Sequence, residues 1–123
     1  MSSETKTHRA SVLLSRKFRR IVVKIGSGVL ADAEAGLRVP HIRALAGQVA
    51  RAWEERGIAF VVVTSGAVAA GRKKMGMAEK PRTMTLKQAA AAVGQTSLMY
   101  AYERAFERRG RKVGQLLLTH EDF

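Results

Sequence analysis

The chain reads as an α/β fold built on a mainly parallel sheet, and three observations predict it. Two short runs, Ile21–Ile25 and Ala59–Val63, are apolar and rich in β-branched residues, as buried strands are. The stretch between them, and the longer one after the second, carries apolar residues at helical spacing. Such strand and helix alternation favours right-handed crossovers and a parallel sheet. Finally, Gly26-Ser27-Gly28 and Ser65-Gly66 lie just past the two strands, and open sheets of this class bind ligands beyond the carboxyl ends of their strands.

Taken in order, Ile21–Ile25 is the first strand, and Ala31 to Val39 is a polar, glycine-containing connection. Pro40 suits a first helical turn. Ile42, Leu45, Ala46, Val49 and Trp53 then share one helix face, and Gly57 stops that helix with Arg56 in its last turn. Ala59–Val63 is apolar throughout, which predicts burial on both faces between helix layers. Ala67 to Lys74 reads as a short helix and Gly76 to Arg82 as a loop. Thr83 or Thr85 caps a long helix running to Arg109, with Gly110 after it. Gly94 inside that helix is unfavourable against alanine by about 1 kcal/mol, so it points to close packing. Val113–Leu118 is expected to be a third strand.

Composition narrows the chemistry. The 123 residues suffice for one domain with a core. With no cysteine, disulfides, thiolate catalysis and cysteine metal sites are excluded, and His8, His41 and His120 show no ligand spacing, so no metal site is expected. No apolar stretch reaches membrane-spanning length, so no membrane partner is expected. The net charge of +12 favours an anionic partner such as a phosphorylated ligand or nucleic acid, or reflects a missing acidic portion. Residues 1–19, with Lys6, Arg9, Arg16, Lys17 and Arg19 against Glu4, read as a basic disordered extension ahead of a domain at 20–123.

Lys24 stands inside an apolar strand. It either snorkels from the strand end or places a cation on a phosphoryl group in transfer. Gly26, Ser27 and Gly28 let the backbone turn and bring bare N–H groups near a ligand. Gly26-x-Gly28-x-x-Ala31 fits the dinucleotide pattern only formally, because a loop rather than a helix follows it and Thr64-Ser65 closes the next strand without an acid. Neither a P-loop nor the G-x-S-x-G nucleophile elbow occurs. Ser65 is either a plain N-cap or, with the Gly66 N–H, a holder of a carboxylate or phosphate oxygen. Arg72, Lys73 and Lys74 read as a solvated helix end. Tyr100, Tyr102 and Phe106 read as packing or interface residues.

These residues carry a resemblance. Val23-Lys24-Ile25-Gly26-Ser27, Val63-Thr64-Ser65-Gly66-Ala67-Val68-Ala69-Ala70-Gly71-Arg72, Ala91-Ala92-Val93-Gly94-Gln95 and Val113-Gly114-Gln115-Leu116-Leu117-Leu118-Thr119 closely resemble the glutamate 5-kinase family, in its order and spacing, from about Arg20 onward. The resemblance implies the amino acid kinase fold, a three-layer α/β/α sandwich. It implies ATP-dependent phosphorylation of the L-glutamate γ-carboxylate with Mg²⁺, a cytoplasmic location, homo-oligomers and feedback by proline. It also implies roles: Lys24 on the ATP phosphates, Gly26 and Ser27 along the phosphoryl path, Ser65 and Gly66 on glutamate.

Two departures stand out. Gly28 occupies a loop position that is often serine or threonine in the family. The chain also stops about where the family's next segment is expected, the one that supplies an aspartate and an asparagine for glutamate, ahead of a second lysine and the nucleotide pocket. The sequence contains no asparagine, and its aspartates are Asp32 and Asp122. The expectation is therefore a truncated kinase domain, inactive as 123 residues alone. The alternatives are a small basic polyanion- or nucleic-acid-binding module, against which the few aromatics and the lack of a binding motif argue, and a fragment serving as a non-catalytic subunit.

Overall fold

The computed structural model describes residues 17–122 apart from Ser27 and Ala33; most of the proposed basic extension lies outside the described residues. Strand β1, Arg20–Ile25, and strand β4, Ala59–Thr64, pair in parallel from Arg20 opposite Ala59 to Ile25 opposite Thr64. Between them come β2, Ala31–Asp32, and β3, Gly36–Leu37, which pair antiparallel as a minimal hairpin. Helix α1, Val39–Arg56, completes the parallel crossover. Helix α2, Ala67–Lys74, and helix α3, Met84–Glu107, follow, with a 3₁₀ turn at His120–Asp122.

Local chemistry explains the boundaries. Pro40 lies in the first turn of α1, where its missing N–H removes no helical bond. Gly57, at φ +66°, ends α1 in the left-handed region with its N–H on the Trp53 carbonyl at 2.8 Å. Thr83, not Thr85, caps α3: its Oγ1 accepts the Leu86 N–H at 3.2 Å. The loop expected between β1 and α1 is a hairpin because Asp32 organises it. One Asp32 oxygen accepts the Glu34 and Ala35 N–H groups, and the other takes two bonds from the Arg38 guanidinium. Those backbone bonds, foremost that of Ala35, and then Arg38 hold the Asp32 carboxyl below its ordinary value.

The core forms on one face of the β1–β4 pair. Ile25, Leu30, Ile42, Ala46, Val49, Leu98, Tyr102, Ala105 and Phe106 make one buried cluster, with Val23, Phe60 and Val62 packed against it. Since strand side chains alternate, this places Val22, Lys24, Val61 and Val63 on the opposite face. Val22 is 63% and Val63 47% exposed, so the burial expected on both faces of Ala59–Val63 is found on one. Among the described residues no helix layer covers the outer face.

Three further expectations are corrected. Val113–Leu118 joins no sheet and Leu116 stays 81% exposed, although among the described residues β1 and β4 pair only with each other and each keeps an unpaired outer edge: an apolar run becomes a strand only when the chain carries it alongside such an edge. Trp53 leaves the core stripe and lies exposed under the Arg111 guanidinium, 5.0 Å from the ring centre. Arg72 is buried rather than solvated, because its side chain folds back and donates to the Ala78 carbonyl at 3.2 Å. Lys73 and Lys74 remain exposed as expected.

Helices α2 and α3 cross in backbone contact. A Cβ on Gly71 would overlap the Ala90 carbonyl, and one on Gly94 would overlap the Ala67 carbonyl and the Gly71 nitrogen. The packing suggested by Gly94 is thus a glycine-to-glycine crossing. It seats the start of α2, directly after β4, against the middle of α3.

Candidate functional site at two strand ends

The parallel register brings the carboxyl ends of β1 and β4 side by side, and one bond ties them. Ser65 Oγ donates to the Ile25 carbonyl at 3.0 Å, across 40 residues of sequence. Because a carbonyl only accepts, the Ser65 hydroxyl hydrogen is committed to the protein, and its lone pairs are what it offers outward. In this geometry, donation to a carboxylate or phosphate oxygen falls to the neighbouring backbone.

That backbone is suited to it. Gly66 is the N-cap of α2 at φ +108°, with no side-chain cap and no acidic residue in the first helical turn. The first N–H groups of α2 therefore lack helical partners and stand at its positive dipole end. Gly66 is required twice over: its φ is one that L side chains rarely adopt, and a Cβ there would press to 3.2 Å from the Ala31 side chain. The Ser65-Gly66 turn thus leans on the start of the β2–β3 hairpin.

On the β1 side, the chain turns through Gly26 and Gly28. Gly28 has φ +88°, so glycine at this departure from the family pattern matches the backbone it occupies. Ser27 lies outside the described residues. Beyond the turn, the loop is pinned to the start of α1: Arg38 N–H donates to Leu30 O at 2.7 Å, and His41 Nδ1 lies 2.8 Å from Val29 O, which assigns the hydrogen to that nitrogen.

Lys24 pairs with Val63 one step before the strand ends and projects from the outer face, exposed. The ion pairs among the described residues join Arg38 to Asp32, Arg82 to Glu79, Arg104 to Glu107 and Arg111 to Glu54; none involves Lys24. The strand ends therefore bring together Gly26, Gly28, Ser65 and Gly66, with Lys24 on the outer side of the same edge. This half of the site offers a cation, free amides and one hydroxyl acceptor, a set that receives anions and an ammonium.

Sequence reasoning missed Thr64 and Tyr102. Tyr102 Oη donates to Thr64 Oγ1 at 2.9 Å, and Thr64 Oγ1 donates to the Ser65 carbonyl at 3.2 Å. Helical spacing places Tyr102 with Leu98, Ala105 and Phe106 on one stripe, but nothing in the sequence signals that its hydroxyl meets a residue 38 positions away.

Among the described residues no group of three or more His, Asp or Glu side chains could hold a metal ion, and no helix is long and apolar enough to cross a membrane. The chain is 53% identical over 109 residues to the glutamate 5-kinase of Pelobacter propionicus, an alignment covering 89% of this chain and 29% of that protein. It is 53% identical over 106 residues to the glutamate 5-kinase of Geobacter sulfurreducens, covering 86% and 28%, and 46% identical over 107 residues to that of Myxococcus xanthus, covering 87% and 28%. The chain thus spans less than a third of the length of these relatives. The amino acid kinase family model matches residues 19–123, and the chain belongs to the amino acid kinase family.

Proposed function

We propose that these residues supply the phosphate-facing and glutamate-facing strand ends of a glutamate 5-kinase, which transfers the γ-phosphoryl group of ATP to the γ-carboxylate of L-glutamate. The observation that carries this reading is the Ser65–Ile25 bond, which fixes the two strand ends side by side in a chain about half identical to glutamate 5-kinases. A carboxylate oxygen attacks the terminal phosphorus, the bond to the bridging oxygen breaks, and ADP departs as the acyl phosphate forms. Catalysis of such a transfer is mostly positioning and charge compensation.

Lys24 compensates charge on the ATP phosphates, and Gly26 and Ser27 line the phosphoryl path. Gly66 and the first α2 amides donate to a glutamate carboxylate, while the Ser65 lone pairs accept from its α-ammonium. The described residues do not fit a magnesium ion. Asp32, the carboxylate nearest the glycine loop in sequence, has both oxygens engaged by Glu34, Ala35 and Arg38. No step is assigned to a metal. A homo-oligomer and a cytoplasmic location belong to the same reading.

The test is a chimaera in which residues 19–123 replace the matching segment of the Pelobacter propionicus glutamate 5-kinase. The expected result is hydroxylamine-trapped γ-glutamyl phosphate that depends on both ATP and glutamate, with none from the 123 residues alone. A well-folded chimaera without activity would overturn the reading.

A further inference from the structure

We propose that Tyr102 is a positioning residue for the Ser65-Gly66 turn, acting through Thr64. The inference rests on the reading of that turn as the glutamate-binding end.

The geometry is a directed relay. Tyr102 Oη donates to Thr64 Oγ1, Thr64 Oγ1 donates to Ser65 O, and Ser65 Oγ donates to Ile25 O, at 2.9, 3.2 and 3.0 Å. Because a carbonyl only accepts, Thr64 Oγ1 spends its one hydrogen on Ser65 O and accepts from Tyr102 Oη, while the Ile25 carbonyl separately sets the direction of the Ser65 Oγ bond. Ser65 is held at its carbonyl from the α3 side and at its hydroxyl from β1. With both ends held, the Gly66 and Ala67 amides keep one direction at the start of α2.

The relay begins on a rigid element. Tyr102 is 5% exposed and stacks on Phe106, with ring centres 6.5 Å apart and planes 18° apart. Burial pushes its phenol above the ordinary value, so the donor hydrogen is present throughout the neutral range. Without the phenol, Thr64 keeps its hydrogen but loses the contact that selects its rotamer, and the Ser65 carbonyl loses its fixed donor. Phenylalanine would serve as well if Tyr102 were only packing, since the ring supplies the buried area. A precise site calls for such support behind the groups that touch the ligand.

The test uses the full 123-residue chain and hydrogen–deuterium exchange read by mass spectrometry, with Tyr102→Phe, Thr64→Val and the double variant. Exchange in the segment from Val63 to Val68 is expected to rise about tenfold in each single variant and no further in the double, because both remove the same link. Exchange along α1 is expected to stay unchanged. In the chimaera carrying residues 19–123, L-glutamate is expected to protect that segment, with about threefold to tenfold weaker apparent affinity once Tyr102→Phe is introduced. The proposal is overturned if Tyr102→Phe leaves the segment's exchange unchanged, if α1 loosens in parallel, if the double variant is additive, or if glutamate binds both proteins equally. Absence of glutamate protection in the chimaera without the Tyr102 substitution would instead defeat the glutamate reading, and the exchange cycle would then decide on Tyr102 alone.

Discussion

The two faces of the β1–β4 pair are made of similar residues and have different fates. On the inner face, Val23, Ile25, Phe60 and Val62 meet α1 and α3 and share one core. On the outer face, Val22, Val61 and Val63 are as apolar, yet they stay exposed around Lys24. Composition alone therefore does not decide burial; a helix must lie across the strand. The candidate functional groups divide along the same line. Ser65 and Gly66 are braced from the inner side by Tyr102 and Thr64, whereas Lys24 stands on the outer side with no ion-pair partner among the described residues. Among the described residues, the outer-face valines and Lys24 stay open.

The largest expected effect is at the α2–α3 crossing, which holds the inner-face brace together. Gly94→Val would drive a side chain into the Ala67 carbonyl and the Gly71 nitrogen. Urea unfolding is expected to show a loss of about 3 kcal/mol or more, since backbone rather than a flexible side chain must yield. A smaller loss would mean that the helices separate easily.

Next comes a direct contrast of the faces. Leu98→Ala, at a residue 1% exposed, is expected to cost about 3 kcal/mol. Val61→Ala, at an outer-face residue 38% exposed, is expected to change stability by about 0.5 kcal/mol or less. Equal costs would show that the outer face is covered.

The smallest effect concerns the hairpin. Asp32 has its folded-state pKa lowered, so the unfolded chain takes up its proton first as pH falls. The stabilisation is present above the ordinary value of 3.8 and is lost as pH drops through the lower folded value. Asp32→Asn is expected to flatten that part of the stability profile. An unchanged profile would remove Asp32 from the account.

Much of this arrangement is legible in the sequence, for physical reasons that also mark where legibility stops. The β1, β4, α1 and α2 boundaries follow from β-branched runs, helical spacing, Pro40 and Gly57, all of which act over a few residues. Gly94 signalled the crossing because a glycine inside a helix is unfavourable unless something needs the space. The β2–β3 hairpin escaped because strands of two residues carry no periodicity, and what holds it is Asp32 reaching Arg38. Trp53 sits on the apolar stripe yet lies exposed because a stripe gives direction, not depth, and Arg72 is buried because the Ala78 carbonyl that receives it lies in the following loop. Val113–Leu118 has the composition of a strand, but composition does not say whether the chain carries it to an open edge of the sheet. At the site, the strand-end rule placed Gly26, Ser65 and Gly66 correctly at one edge. The Tyr102–Thr64 link depends on a contact between distant residues that no local pattern encodes.

The central proposal is that one sheet edge carries two separable tasks, phosphate charge on the outer side and glutamate binding on the braced inner side. Steady-state kinetics of the chimaera test it most directly, with Lys24→Met and Ser65→Ala measured in one assay. The account predicts that Lys24→Met lowers kcat about 100-fold with the glutamate KM little changed, and that Ser65→Ala raises the glutamate KM about tenfold with a smaller effect on kcat. Lys24→Met with full kcat, or Ser65→Ala with an unchanged glutamate KM, would contradict it.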